Sequence, residues 1–90
     1  MPSSRTRFTA VLFTMPGKGG WTFAEVPARH APPVQHGWGR TSVVATVNGT
    51  PWRTSVWRGR NGRTLLPVPK AVRGSLGHGD RVRVTLRFNL

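Results

Sequence analysis

The sequence predicts a mainly β protein: a single small antiparallel β-barrel of about six strands with one short helix before the last strand. Three observations predict this fold: runs of alternating apolar and polar residues, the pair Asn48-Gly49, and glycine or proline between successive runs. An Asn-Gly pair favours a type I′ hairpin turn, because both of its residues must adopt positive φ. A chain of 90 residues has room for one core, so one domain is expected.

The first half of the chain is expected to supply three strands. Residues 1–5 are predicted to be a disordered tail, and residues 6–90 the barrel domain. The alternation predicts strands at residues 6–15, 21–26 and 40–47. In the second of these strands, Trp21 and Phe23 are expected to point into the core. The long irregular segment at residues 28–39 is expected to cover one end of the barrel or to form a binding edge.

The second half is expected to supply three more strands and the helix. The strands are predicted at residues 50–58, 63–68 and 81–88. Pro69 suits the first position of a helix and Gly77 suits the residue after its end, so the helix is predicted at residues 69–76. Its buried residues are expected to be Ala71, Val72 and Leu76. Inward residues of the last strand alternate with outward arginines.

Five short segments carry a family resemblance. They are FTAVL at residues 8–12, WTFAEVP at 21–27, VNGTPWRTS at 47–55, LLPVPK at 65–70 and GDRV at 79–82. In their order and spacing, the chain resembles a bacterial family, the domain of unknown function 1905, from about residue 8 to residue 88. The resemblance implies a compact β-barrel-like fold with one short helix. It implies no established activity and no catalytic residues.

The composition is strongly basic. Fourteen lysines and arginines face two acidic residues, giving a formal net charge of +12, and twelve of the fourteen are arginine. Such a balance attracts polyanions such as nucleic acid, although GC-rich codon usage also raises the arginine content. The chain has no cysteine, which excludes disulfides and thiolate metal sites. No apolar run approaches the roughly 20 residues of a membrane span, and no signal core is present, so a cytoplasmic location is expected.

The strongest functional prediction is an arginine-rich strand face. Arg53 and Trp57 share the outward face of the fourth strand, and the outward face of the last strand carries Arg81, Arg83 and Arg87. If these two strands lie near each other, their side chains form one cationic stripe with an exposed indole. Guanidinium groups bind phosphate in bidentate fashion, and an indole stacks on a base. The predicted nucleic-acid-binding residues are Arg53, Trp57, Arg58, Arg60, Arg63, Arg81, Arg83 and Arg87.

Weakly sequence-specific nucleic-acid binding without enzymatic activity is therefore the expected function. Two alternatives stay open: a protein-interaction or oligomerising module that uses exposed strand edges, and a small-ligand barrel with Trp38 as its lid. The two acidic residues are better explained structurally, Glu25 as the partner of an arginine and Asp80 as the acceptor for a turn. No serine has the surroundings of a catalytic triad. The three histidines, His30, His36 and His78, lack the spacing of a metal site. No cofactor or metal is therefore expected.

Overall fold

Six strands, one short α-helix and a single 3₁₀ turn at Ala28–His30 are present in the structure, a computed structural model that describes residues 3–16, 20–33, 39–59 and 61–89. The elements are β1 (Ser3–Thr14), β2 (Thr22–Val26), β3 (Arg40–Val47), β4 (Thr50–Arg58), β5 (Thr64–Pro67), α1 (Lys70–Arg73) and β6 (Arg81–Asn89). All neighbouring strands are antiparallel and close a barrel in the order β1-β2-β5-β4-β3-β6. The predicted fold class is confirmed. In the described ranges, no helix is long and apolar enough to cross a membrane.

β1 begins earlier than the sequence pattern indicates. The prediction of a tail through residue 5 is wrong, because β1 pairs with β6 over its whole first half, with Ser4 opposite Phe88 and Arg5 opposite Arg87. Each residue that joins the ladder gains partners for its backbone N–H and C=O groups, which favours continued pairing. Residues 1 and 2 lie outside the described part of the chain.

The core fills the inside of the barrel with side chains from every strand. Leu12, Leu66 and Leu86 are fully buried, and valines and alanines fill the positions around them. The inward positions alternate with exposed ones along β1, β3 and β6, as the sequence pattern predicts. Trp52 also points inward as expected and packs, partly buried, against this core.

β2 presents the face opposite to the one predicted. Trp21 is 60% exposed and Phe23 lies on the outside of the sheet, so the expectation that both belong to the core is wrong. Ala24, between Phe23 and Glu25, points inward instead. It lies opposite Leu12 on β1 and opposite Leu66 on β5. A small residue is needed there because both of its neighbours in the row are buried leucines. The aromatic residues of β2 therefore take the outer face.

The helix is shorter than predicted. It covers Lys70–Arg73 and ends at Gly74, whose φ of 59° breaks the helical ladder before residue 76. Ala71, expected to be buried, is exposed, whereas Val72 and Leu76 pack against the core as expected. Arg73 donates from Nε to the Val68 carbonyl and from Nη1 to the Leu76 carbonyl, both at 3.2 Å. These bonds hold α1 across one side of the barrel.

β4 and β5 are paired for only a short distance. Their register pairs are Trp57 with Leu65 and Arg58 with Thr64. The ladder ends as the chain reaches Pro67, which has no N–H to donate to β4. The Val68 N–H instead donates to the Thr22 carbonyl at 2.9 Å, so the chain stays beside β2. Among the described residues, the first half of β4 has β3 as its one strand neighbour, and α1 contacts β4.

Candidate nucleic-acid interface

Arginines from three strands form one row across the outside of the barrel. Val44 of β3 lies opposite Arg53 of β4 on one side and opposite Arg87 of β6 on the other. Arg87 in turn lies opposite Arg5 of β1. All four side chains are exposed. With neighbouring strands about 4.8 Å apart, the row extends over about 14 Å. We call Arg5, Arg53 and Arg87 the cationic row.

Further arginines continue this surface along the β1–β6 ribbon. Arg7 lies opposite Thr85 of β6, and Arg83 lies opposite Thr9 of β1. Both arginines line a groove beside the β3–β4 hairpin turn, where Asn48 accepts from the Arg83 N–H at 2.9 Å. Exposed Arg81 follows at the start of β6. The row and its extension make up the cationic face: Arg5, Arg7, Arg53, Arg81, Arg83 and Arg87.

The predicted stripe is not continuous in the structure, because its residues lie at different levels along the strands. β3 lies between β4 and β6 and is antiparallel to both, so β6 runs parallel to β4 with Arg87 level with Arg53. Along β4, Trp57 is four residues beyond Arg53, about 13 Å away. Arg58 and Arg63 lie at that same end. Arg81 and Arg83 lie at the other end, beside the hairpin turn. Arg60 is outside the described residues.

At the Trp57 end of β4, the side chains of Trp57 and Arg63 are already engaged in contacts within the protein. Trp57 is exposed, but the guanidinium of Arg40 lies 5.7 Å from the centre of its ring. Arg63 donates to Glu25 Oε1 from Nη2 at 2.6 Å and from Nε at 3.1 Å. The hydrogen bond to Glu25 and its negative charge raise the pKa of the Arg63 guanidinium above its usual value. These contacts leave Trp57 and Arg63 less available to a ligand than the cationic row.

Both acidic side chains lie away from the cationic row. Glu25 pairs with Arg63, as the sequence predicts for this carboxylate. Asp80 Oδ2 accepts from the Gly77 N–H at 2.8 Å, which is the predicted turn contact. No carboxylate of the described residues therefore balances the positive charge of the row, and an anion bound between the arginines would reduce their mutual repulsion.

Sequence reasoning missed two members of the cationic face. Arg5 falls in the stretch that the sequence predicts to be a tail, and Arg7 is not among the predicted nucleic-acid-binding residues. The signal for Arg5 was present, because Arg5 and Arg7 alternate with Thr6 and Phe8. What the pattern alone does not give is the pairing of β1 with β6, which brings Arg5 to Arg87.

The histidines form no metal site in the described part of the chain. No cluster of three or more metal-binding side chains is present there. His30 is half-buried; its ring lies tilted against Phe8, with the ring centres 5.4 Å apart, and it is hydrogen-bonded to the Thr6 hydroxyl. His78 is exposed and accepts from the Thr14 N–H through Nδ1 at 3.0 Å. His36 and Trp38 lie outside the described residues.

Comparison with known proteins decides the family. The family model described as Domain of unknown function (DUF1905) matches residues 8–86. The chain belongs to this family. No curated protein matches the chain. The match confirms the resemblance carried by the five sequence segments.

The domain of unknown function 1905 contains only part of the cationic face. Arg53, Arg81 and Arg83 fall inside the matched residues 8–86, together with Trp57. The remaining arginines of the face lie in the flanks of the match: Arg5, Arg7 and Arg87. The cationic row is therefore built by this chain from one position inside the matched region and two positions outside it.

Proposed function

We propose that this domain binds nucleic acid through the cationic face, with weak sequence specificity and without catalysing a reaction. The observation that carries the proposal is the cationic row, in which Arg53 and Arg87 flank the exposed Val44 and Arg5 lies beyond Arg87. No carboxylate of the described residues lies in this row, since both acidic side chains are engaged elsewhere. A row of this kind suits a chain of phosphates better than a single small anion.

The chemistry of the row favours a phosphate backbone over the bases. Each guanidinium is planar, stays charged and can donate two parallel hydrogen bonds to one phosphate. Backbone contacts position a nucleic acid without reading its sequence, which accounts for the weak specificity. Binding should release condensed counterions and so weaken steeply as salt increases.

The barrel interior offers less support for binding of a small ligand inside it. Its inward positions are occupied by a contiguous cluster of buried valines, leucines and alanines. The grooves found on the structure are open and lie on the outer surface, and one of them lies between Arg53 and Arg87. A ligand is therefore expected to bind outside the barrel.

The double variant Arg53→Gln/Arg87→Gln tests the proposal. Loss of two phosphate contacts should lower the affinity for single-stranded DNA or RNA roughly tenfold near 150 mM salt and reduce the log–log salt slope by about 1.4. Fluorescence anisotropy with labelled strands over a salt series measures both quantities. Glutamine keeps most of the side-chain length, and both positions are exposed, so the fold should be retained.

The matched control removes the same charge from the end of the β3–β4 hairpin that lies farthest from its turn. Arg40→Gln/Arg58→Gln should lower the affinity less, because neither residue belongs to the cationic row. A larger loss in this control would place the interface at the Trp57 end and contradict the assignment. Absence of binding to any strand by the unmodified protein would reject the proposal. The protein-interaction module would then be favoured, since Met15 and Trp57 are exposed.

Glu25→Gln should strengthen binding. The change removes the carboxylate that holds Arg63, so that guanidinium becomes available to phosphate. We expect a few-fold gain in affinity and a salt slope steeper by up to about 0.7, measured in the same anisotropy assay. The stability should change little, because both partners are exposed. Asp80→Asn is the control for net charge, and an equal gain in that variant would show that Arg63 is not responsible.

A further inference from the structure

A cleft opens where β4 and β5 separate. Its walls come from the first half of β4, from the chain after Pro67 and from the segment before β2. The residues that give it its chemical character are Trp21, Trp52, Arg53, Lys70 and Arg73. The cleft has a volume of about 530 Å³, within the range of roughly 300–1,000 Å³ that small-ligand sites occupy.

Two indoles line the cleft. Trp52 is partly buried and held in place by the core. Trp21 is 60% exposed, yet its ring is stacked on Phe23, with the ring centres 6.2 Å apart and the planes inclined by 17°. An exposed aromatic side chain that is supported from behind provides a flat surface at low entropic cost. The stacking on Phe23 accounts for the exposed position of Trp21, directly before β2.

The charged residues of the cleft are all basic. Arg53 and Lys70 are exposed, and Arg73 retains donors beyond the two that bind carbonyl groups. Neither Glu25 nor Asp80 lines the cleft. The aromatic surfaces together with an uncompensated positive charge suit a flat, electron-rich ring attached to a phosphate.

Arg53 connects the cleft with the cationic row. Its side chain lines the cleft and also the groove on the outer face beside Val44 and Arg87. A strand whose phosphates lie along the cationic row could therefore turn one base into the cleft at Arg53. An added β-strand is a poorer fit, because α1 contacts β4 and its Lys70 and Arg73 line the cleft beside that strand.

We propose that the cleft between β4 and α1 binds a nucleobase of a single-stranded nucleic acid. The inference rests on the proposed function and adds a subsite to it: phosphates on the cationic row, one base against Trp21 and Trp52. A duplex keeps its bases stacked inside the helix, so the subsite selects single strands or flexible ends. Because stacking tolerates every base, the subsite adds affinity without strong sequence preference.

An abasic strand, which keeps the phosphates and lacks the bases, distinguishes the contribution of the base to binding from that of the phosphates. Binding of an oligo-deoxythymidine and of an abasic strand of the same length should be compared by anisotropy at one salt concentration. We expect the unmodified protein to prefer the strand with bases roughly tenfold. Trp21→Ala should remove this preference while leaving the affinity for the abasic strand unchanged. Met15→Ala, which truncates another exposed apolar side chain, should keep the preference.

The outcomes distinguish the subsite from the proposed function. Equal binding of both strands, weakened alike by Arg53→Gln/Arg87→Gln, would overturn the subsite and support the cationic row. Loss of the preference in Trp57→Ala instead of Trp21→Ala would move the stacking contact to the far end of β4 and overturn the inference. Failure of both strands to bind would reject the proposed function and the subsite together.

Discussion

Leu86→Ala is expected to lower the free energy of unfolding by about 2–5 kcal/mol. Leu86 is fully buried at the centre of β6, opposite Ala45 on β3 and Thr6 on β1. Its small neighbour Ala45 cannot fill the space that the truncation leaves, so a cavity term adds to the lost burial. A domain of 90 residues has a total stability of only about 4–14 kcal/mol, so the variant could lose much of its folded population.

Equilibrium denaturation in urea measures this loss. The midpoint should fall while the m-value stays constant, because the same surface is exposed on unfolding. Val11→Ala on β1 is the control, since that side chain is 48% exposed and its truncation should change the stability by no more than about 0.5 kcal/mol. A loss below 1 kcal/mol in Leu86→Ala would contradict the view that the barrel interior is tightly packed.

The same alternation that buries Leu86 exposes Arg87. Residues with odd numbers on β6 face outward, and three of them are members of the cationic face. A slip of one residue in the β3–β6 register would exchange the two faces, placing arginines inside the barrel. The core therefore fixes the positions of the arginines, and the burial of Val84 and Leu86 determines where the cationic row lies.

Local sequence signals predicted the fold well where they were strong. β3 and β4 have the predicted bounds of residues 40–47 and 50–58 because the Asn48-Gly49 turn fixes both strand ends. Asn48 has a φ of 47° and Gly49 a φ of 91°, as such a turn requires. The face of β2 was not predictable from alternation alone. Ala24 is inward because two leucines on neighbouring strands need the space, and that information lies in the strand order.

The candidate site depends on strand order in the same way. Alternation correctly placed Arg53, Trp57 and Arg87 on the outer surface. It could not show that β3 separates β4 from β6, or that Arg87 is level with Arg53 and not with Trp57. The cleft near Trp21 depends on an interruption of the β4–β5 ladder at Pro67 and on the position of α1. Both are consequences of long-range packing and have no local pattern.

Among the glycines in the described part of the chain, Gly39 should be the one whose replacement by alanine is most damaging. Gly39 precedes β3 with a φ of 69°, which costs a residue with a side chain about 1–2 kcal/mol. A Cβ at this position would also overlap the carbonyl oxygen of Arg58, a backbone atom that cannot rotate away. Together these effects should lower the free energy of unfolding by about 2–4 kcal/mol, measured by urea denaturation.

Gly20→Ala separates the two causes. Gly20 has a similar φ of 52°, but no atom lies within 4 Å of a Cβ added there, so only the backbone term of about 1 kcal/mol is expected. If Gly39→Ala costs no more than Gly20→Ala, the close approach to Arg58 is not a constraint.

The close approach of Gly39 to Arg58 matters for the site because it holds the end of β4 against the start of β3. That contact supports the register in which Val44 lies opposite Arg53. A shift there would displace Arg53 from the cationic row and from the cleft. Gly39→Ala should therefore bind single strands more weakly even where it remains folded.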